Sequence, residues 1–320
     1  MSIMSLRCAI LDDYQGVALG MADWSVLDGQ VDVTVHREHI ADQDALVDAL
    51  RDKQIVVIMR ERTPFPAELI ARLPELELLI TSGMRNAAID LAAAAEHGVT
   101  VCGTASTSTP PAELTWALIL GLARHLVPES TALRTNGPWQ STVGTGLAGR
   151  TLGLIGFGKI GVQMARIGRA FGMDVAAWSA NLTAERTAAE GVRLVTKGEL
   201  LSRSDVVSIH VVLSDRTRGL IGAGELALMR PEALLINTSR AAIVDQQALV
   251  EALRDNRIGG AGLDVFDQEP LPAGHPLRSL PNVLATPHLG YVTDGNYRTY
   301  FREAVENIQA YLAGTPTRVL

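Results

Sequence analysis

The 320-residue chain has 47% hydrophobic and 20% charged residues and a formal net charge of −7, a balance typical of globular proteins. A single hydrophobic core usually stops growing at about 250–300 residues, so the length predicts two domains. Proteins that bind nucleic acids or anionic membranes cluster Lys and Arg; because the sequence has no such run, we expect neither partner.

The cysteines and histidines indicate the compartment and the absence of a metal. Cys8 and Cys102 are the only cysteines and lie far apart, so we expect free thiols in a reducing cytoplasm. No stretch approaches the roughly 18 uncharged apolar residues of a membrane helix, and residues 1–13 lack a signal-peptide pattern. His36 and His39 have a spacing near that of metal ligands, but they lie in a charged segment, so we expect no metal site.

Short β-rich runs alternate with amphipathic helical runs, which predicts parallel sheets in α/β layers. In the first third, strands are predicted at 8–11, 31–35, 55–59, 78–81 and 99–102, with helices at 45–51, 67–73 and 89–97. Five strands joined by crossovers predict one small doubly wound domain.

A long helix is predicted to begin at Pro110 and Pro111, because proline suits the first helical turn. Leu114, Leu118 and Leu122 continue it as an apolar stripe at helical spacing. The segment 136–149 is rich in Gly, Ser and Thr, so it is expected to cross the surface as a loop.

The alternation of strands and helices then restarts. Strands are predicted at 151–155, 175–178, 206–210, 234–237, 262–266 and 283–286. Six strands are the count of a full dinucleotide-binding fold. The last helix, 294–312, has an apolar face that needs a surface to cover. We therefore expect it to pack against the first domain, which makes that domain discontinuous.

A G-x-G-x-x-G motif, Gly156, Gly158 and Gly161, directly follows an apolar strand. The first glycine permits a tight turn, the second lets a pyrophosphate approach the backbone, and the third lets helix and strand pack closely. We expect the helix to open at Gly161 and to present its N-terminus to the phosphates. The motif alone is a weak signal, but the strand before it and the helix after it favour a dinucleotide site.

The residue expected to bind the adenosine ribose is acidic and lies about 20 positions further on. Ser179 occupies that place, and without a carboxylate the discrimination against a 2′-phosphate is weakened. No arginine follows the strand immediately, since Arg186 comes seven residues later. The sequence leaves NAD and NADP both open, and we favour NAD.

Charged side chains follow three successive strands, where open α/β sheets bind ligands. They are Arg240, the pair Asp264 and Glu269, and His288. Arginine binds carboxylates bidentately, histidine donates or accepts a proton near neutral pH, and a carboxylate beside it favours its charged form. Each has an ordinary structural explanation alone, but together they indicate reduction of a 2-keto acid.

These motifs resemble the D-isomer-specific 2-hydroxyacid dehydrogenase family over almost the whole chain. Its most specific parts are 156–161, 237–245, 260–270 and 281–290. The resemblance implies two doubly wound parallel-sheet domains. A Rossmann NAD(P)-binding domain would span 104–289, and a smaller flavodoxin-like substrate domain would span 1–103 plus 290–320. It also implies a homodimer joined through the cofactor domains.

The resemblance further implies a role for each site residue. Arg240 would bind the substrate's carboxylate and carbonyl, His288 would be the acid/base, and Glu269 would pair with His288. Asp264 would contact the nicotinamide carboxamide. The other cofactor-binding residues would be Gly156, Gly158, Lys159, Ile160, Gly161, Ser179, His210 and Thr238. The other substrate-binding residues would be Arg60 and, through backbone N–H groups, the loop containing Met84 and Arg85.

Several positions depart from the family pattern: Ser179, Val212, Ala241, Arg85 and Tyr291. None belongs to the predicted catalytic set, so the departures leave the chemistry intact and the choice of 2-keto acid open. Formate dehydrogenases share the arginine and the histidine but usually supply the partner of the histidine as glutamine, so Glu269 disfavours that activity. A non-catalytic NADH-binding sensor of the corepressor type and a nucleotide-binding module without turnover remain alternatives.

Overall fold

A computed structural model of the chain describes residues 5–320. They form two compact units. Unit 1 comprises residues 5–107 and Thr293–Leu320, and unit 2 comprises Ser108–Val292. The boundaries predicted at 103 and 290 fall a few residues before these.

The strands and helices of each unit follow in chain order. Unit 1 contains β1 (Leu6–Ile10), β2 (Val31–Val35), α1 (Gln43–Leu50), β3 (Ile55–Ile58), α2 (Ala67–Ile70), β4 (Leu78–Thr81), α3 (Leu91–Glu96) and β5 (Thr100–Cys102). Unit 2 contains α4 (Thr109–Ala123), α5 (Leu126–Arg134), β6 (Thr151–Ile155), α6 (Lys159–Ala170), β7 (Asp174–Trp178), α7 (Ala184–Ala188), β8 (Arg193–Leu194), α8 (Lys197–Arg203), β9 (Val206–Ile209), α9 (Ala223–Leu228), β10 (Leu234–Asn237), α10 (Gln246–Arg254), β11 (Gly260–Leu263) and β12 (Val283–Ala285). The last helix, α11 (Asp294–Leu312), belongs to unit 1.

Unit 1 is a five-stranded parallel sheet in the order β2-β1-β3-β4-β5, which is the flavodoxin-like order. Every residue of β3 and β4 is buried, as expected for strands covered on both faces. Helix α11 covers part of this unit with Tyr297, Phe301 and Ile308, three residues of its predicted apolar face. Thr293 accepts a hydrogen bond from the N–H of Asn296 and caps the helix.

Unit 2 is a seven-stranded parallel sheet in the order β12-β11-β10-β9-β6-β7-β8. Its central part has the Rossmann order, with β6 and β9 on either side of the point where the order reverses. The predicted doubly wound parallel α/β fold is therefore confirmed in both units.

Four sequence predictions in unit 2 were wrong in detail. Six strands were expected, but β8 adds a seventh, whose two exposed residues carry no alternating pattern. Strand β11 ends at Leu263 instead of reaching Phe266, so Asp264 directly follows it. Helix α6 begins at Lys159 and not at Gly161, and Gly158 is its N-cap residue. Helix α5 was not predicted, because it buries no residue.

The remaining sequence predictions concern membranes, metals and thiols. Within residues 5–320, no helix is long and apolar enough to cross a bilayer. Among the same residues, no three His, Cys, Asp or Glu side chains are arranged to hold a metal ion. His39 Nδ1 instead lies 3.0 Å from a carboxylate oxygen of buried Asp12. Cys8 and Cys102 are buried free thiols, and burial raises the pKa of Cys8 to about 12.

Candidate active site

The glycine loop of unit 2 connects β6 to α6 at the point where the strand order reverses. Gly156 has a φ of +100°, a backbone conformation that side chains disfavour. A Cβ on Gly156 would lie 2.6 Å from the carbonyl carbon and oxygen of His210. A Cβ on Gly161 would lie 2.4 Å from the carbonyl oxygen of Gly156. The chain's own packing therefore requires glycine at these two positions.

Gly158 differs from its two neighbours in the motif. Its φ of −87° suits any residue, and a Cβ there would meet no protein atom within 4 Å. The fold itself thus does not require glycine at this position. A bare backbone at the N-terminus of α6 suits the close approach of a phosphate group, and this is the fit expected of a dinucleotide.

A cleft of about 450 Å³ opens beside the glycine loop, wholly within unit 2. It is lined by Gly156, Phe157, Gly158, Trp178, Ser179, Ala180, Asn181, Leu182, Arg186, His210, Val211, Val212, Ser214, Arg216, Thr217 and Leu220. The cleft therefore brings together four of the predicted cofactor residues: Gly156, Gly158, Ser179 and His210. Lys159 and Ile160 form the first turn of α6 and are not among the lining residues.

His210 follows β9 and faces the glycine loop, since its backbone N–H donates to the carbonyl of Ile155 at 2.7 Å. Its Nε2 lies 2.8 Å from the hydroxyl of Ser208. Burial lowers the pKa of His210 to about 4, because a charged imidazolium is poorly solvated there. The side chain is therefore neutral at pH 7.

Arg186 is a residue of this cleft that sequence reasoning did not assign. It lies on α7, and its Nη2 donates to the carbonyl of Phe157, between the first two motif glycines, at 3.0 Å. The sequence feature that could have indicated this role is the presence of an arginine after β7. The intervening turn, in which Leu182 N–H donates to Ser179 O at 3.1 Å, returns the chain to the glycine loop.

Glu269 and His288, which are distant in the sequence, meet at the carboxyl ends of the strands. A carboxylate oxygen of Glu269 lies 2.6 Å from Nδ1 of His288, and its other oxygen accepts the backbone N–H of Phe266 at 2.9 Å. Both side chains are only partly exposed. The geometry is that of a histidine oriented by a carboxylate, so Nε2 is the ring nitrogen that remains for a ligand.

Asp264 is buried and binds the segment that carries His288. One carboxylate oxygen accepts the hydroxyl of Thr286 at 2.6 Å and the N–H of Leu289 at 2.7 Å, and the other accepts the N–H of Gly290 at 2.8 Å. Burial raises its pKa, and the Thr286 hydrogen bond opposes that rise. His288 lies inside this segment with a φ of +54°, a conformation that costs about 1–2 kcal/mol, so the anchors on both sides hold it there.

Three other residues surround the same strand ends. Arg240 is half-buried after β10, and its Nη1 donates to the carbonyl of Ser239 at 2.7 Å. The hydroxyl of Thr238 lies 2.7 Å from that of Thr115 on α4, a contact that sequence reasoning missed because the two residues are remote in the chain. The ring of Tyr291 packs edge-on against the imidazole of His288, with centroids 5.4 Å apart.

The remaining predicted residues lie in unit 1, at the carboxyl ends of β3 and β4. Arg60 packs over Gly83, which has a φ of +89°. A Cβ on Gly83 would lie 2.3 Å from Nη1 of Arg60. Asn86 holds the loop by donating to the carbonyl of Arg60 at 2.8 Å and to the hydroxyl of Thr81 at 2.9 Å. Met84 and Arg85 are exposed at the loop tip. In the described part of the chain, their backbone N–H groups donate to no protein acceptor.

Comparison with known proteins identifies the family to which this fold and site correspond. Residues 116–290 match the family model for the NAD-binding domain of D-isomer specific 2-hydroxyacid dehydrogenases. The crystal structure of a phosphoglycerate oxidoreductase from Vibrio cholerae superposes with a TM-score of 0.92 at 38% identity, covering 97% of this chain and 100% of that chain. The glyoxylate reductase of Aeropyrum pernix is 38% identical over 256 residues, which is 77% of this chain and 76% of that protein.

A third relative is longer than this chain. The D-3-phosphoglycerate dehydrogenase of Methanocaldococcus jannaschii is 35% identical over 276 residues, which cover 85% of this chain. The matched region is 52% of that relative, so the chain spans about half of its length. With a family model that matches more than half of the chain and relatives aligned over most of it, the chain belongs to the D-isomer-specific 2-hydroxyacid dehydrogenase family.

Proposed function

We propose that this protein is an NAD(P)-dependent dehydrogenase that transfers a hydride between the nicotinamide and a small D-2-hydroxy acid or 2-keto acid. The observation that carries the proposal is the 2.6 Å contact between Glu269 and His288 Nδ1, in the unit that also contains the dinucleotide cleft. Membership of the family supports it.

We assign the proton transfer to His288. When bound, the nicotinamide supplies or accepts the hydride, and the substrate oxygen must gain or lose a proton at the same time. In the reductive direction, His288 Nε2 gives its proton to the oxygen of the former carbonyl. Glu269 stabilises the charged imidazole through Nδ1 and fixes the orientation of the ring. Asp264 holds the segment in place through the Thr286 hydroxyl before His288 and the N–H groups of Leu289 and Gly290 after it.

We assign substrate recognition to cations and backbone N–H groups. Arg240 would bind the substrate's carboxylate and carbonyl, because a planar guanidinium makes two parallel hydrogen bonds to such groups. In unit 1, the N–H groups of Met84 and Arg85 offer donors to a carboxylate, and Arg60 over Gly83 would contact the substrate. The 2-keto acids to be compared are glyoxylate, hydroxypyruvate, pyruvate, phenylpyruvate and 3-phosphohydroxypyruvate.

We assign the coenzyme to the cleft of unit 2. The backbone at Gly156, Gly158 and Gly161, with Lys159 and Ile160, would hold the pyrophosphate at the N-terminus of α6. Ser179 and His210 would contact the adenosine half, and Thr238 and Asp264 would border the nicotinamide. The open space at Gly158, where the fold itself does not require glycine, supports this assignment.

We further propose that the protein is a homodimer joined through unit 2. Helix α5 buries none of its residues, and the following loop leaves Trp139 79% and Val143 94% exposed. Glu129 on α5 accepts hydrogen bonds from Ser141 and Thr142, which tie the loop to the helix. An ordered surface with this much exposed apolar area is typical of an interface, and a second copy is the occupant that the family resemblance implies.

The two buried free thiols also support a cytoplasmic location. Cys8 and Cys102 form no disulfide, and a protein that folds without disulfides suits a reducing compartment.

The experiment that tests the proposed activity follows the oxidation of NADH and NADPH with each of the 2-keto acids above. Turnover with one acid that vanishes in His288→Ala would support the dehydrogenase and name its substrate. Tight coenzyme binding without turnover on any acid would contradict it and favour the sensor alternative.

A further inference from the structure

The cleft beside the glycine loop is lined by positively charged residues and by no acidic residue. Its sixteen lining residues include Arg186 and Arg216 but no Asp or Glu. An NAD-specific site of this fold places a carboxylate after the second strand, where it binds the ribose 2′-hydroxyl and repels a 2′-phosphate. Ser179 follows β7 at that position. The group that ordinarily excludes the phosphorylated coenzyme is therefore replaced by a neutral hydroxyl.

Arg186 lines the cleft and is held beside the glycine loop. Its guanidinium is anchored by one hydrogen bond to the carbonyl of Phe157, at 3.0 Å. In residues 5–320, it forms no ion pair with a carboxylate. A guanidinium carries five N–H donors, so one anchoring bond fixes its place and leaves donors for a ligand. The planar guanidinium of an arginine anchored in this way can bind a phosphate through two parallel hydrogen bonds.

Arg216 lines the same cleft from the loop after β9. This loop is ordered by Thr217, whose hydroxyl donates to the carbonyl of Val212 at 2.7 Å and accepts the N–H of Ser214 at 2.8 Å. Arg216 is exposed, as Arg186 is. In residues 5–320 neither forms an ion pair with a carboxylate, so each can bind a ligand without first breaking such a pair.

We propose that Ser179, Arg186 and Arg216 form a subsite for the 2′-phosphate of NADP(H), and that the phosphorylated coenzyme binds more tightly than NAD(H). The inference rests on the proposed function, because it specifies which coenzyme that function uses. It revises the preference for NAD drawn from the sequence. The seven-residue separation between Ser179 and Arg186 argued against a shared site, but the turn before α7 brings both residues to the cleft.

The test measures binding without turnover. Titration calorimetry gives Kd for NADPH and NADH, and for the fragments adenosine 2′,5′-bisphosphate and adenosine 5′-monophosphate. We expect the 2′-phosphate to tighten binding by about tenfold to a hundredfold in both pairs, which is the effect of hydrogen bonds to a charged group. Because the attraction is electrostatic and exposed to solvent, the difference should shrink as salt is raised.

Variants separate this subsite from the general charge of the unit. Arg186→Gln should weaken NADPH about tenfold or more and leave NADH within about twofold. Arg203→Gln removes the same charge from α8, away from the lining residues, and should change neither. Ser179→Asp should reverse the preference, since it restores the carboxylate that repels the phosphate.

The outcomes are distinguishable. If NADH and NADPH bind equally, or if Arg186→Gln weakens both equally, the 2′-phosphate subsite is wrong while the dehydrogenase proposal stands. If neither coenzyme binds, the proposed function itself is overturned, and the subsite with it.

Discussion

Two carboxylates contact the His288 segment, and they do so in different ways. Glu269 meets the imidazole itself at 2.6 Å, whereas Asp264 meets only the hydroxyl of Thr286 and the backbone N–H groups of Leu289 and Gly290. Glu269 therefore acts on the charge and orientation of the ring. Asp264 acts on its position, because it holds a segment in which His288 adopts a positive φ.

We predict that His288→Ala abolishes turnover. The expected fall in kcat is about a hundredfold to ten-thousandfold, the usual contribution of a general acid or base. Coenzyme affinity should change little, since His288 does not line the nucleotide cleft. Steady-state kinetics and coenzyme titration check the two halves. An equal loss of coenzyme affinity would contradict the assigned role.

The charge of Glu269 can be removed with little change of shape. Glu269→Gln keeps an oxygen that can accept the N–H of Phe266, but it no longer stabilises a charged imidazole. We expect kcat to fall by about tenfold or more, because this charge acts directly on the proton-transferring group. Coenzyme Kd and thermal stability should remain near wild type. An unchanged kcat would show that the 2.6 Å contact is structural only.

His210 predicts a pH dependence of stability. Its folded-state pKa of about 4 lies below the unfolded value, so protonation favours the unfolded chain. The loss of unfolding free energy caused by protonating His210 is absent above pH 6.5 and grows as the pH falls towards 4. It is complete below pH 4, where it reaches about 3 kcal/mol. His210→Asn cannot titrate and should lose less unfolding free energy than wild type between pH 7 and pH 4, by urea denaturation. Parallel losses in the two proteins would refute the assignment.

At the element scale, the glycine loop separates what the fold needs from what a ligand needs. Gly156→Ala places a Cβ against the His210 backbone at a φ of +100°, and we expect it to destabilise unit 2 by about 2 kcal/mol or more. Gly158→Ala meets no protein atom, so its unfolding free energy should change by less than about 1 kcal/mol, while its coenzyme Kd rises. Denaturation and coenzyme titration of both variants distinguish the two. Equal effects of the variants would contradict this division.

The elements that sequence reasoning missed share a physical cause. Strand β8 is two exposed residues at the sheet edge, and α5 buries none of its residues, so neither has the periodic apolar face on which prediction depends. By contrast, β2, β4, β6, β10 and α11 were predicted with the bounds observed. Each of these carries buried apolar residues, and burial imposes the pattern that a sequence can reveal.

At the scale of the whole molecule, α5 and the loop after it predict self-association. We expect the wild-type protein to sediment as a dimer and Trp139→Ser combined with Leu133→Ser to shift it towards the monomer, because both side chains are exposed apolar groups of unit 2. Leu19→Ser, an exposed leucine of unit 1, is the matched control and should remain dimeric. A monomeric wild type at the concentrations of the kinetic assays would refute the dimer.

The sequence by itself determined the parallel α/β class of both sheets, the glycine loop and the candidate set of Arg240, Glu269 and His288. Each of these depends on local pattern: buried strands are continuous apolar runs, and functional side chains follow their carboxyl ends. Tertiary structure alone decided the hydrogen bond from the N–H of Phe266 to Glu269, the contacts of Asp264 with the His288 segment and the return of Arg186 to the glycine loop. These depend on turns whose path no periodicity encodes, and the hydrogen bonds between residues far apart in the chain exist only once the strands are assembled.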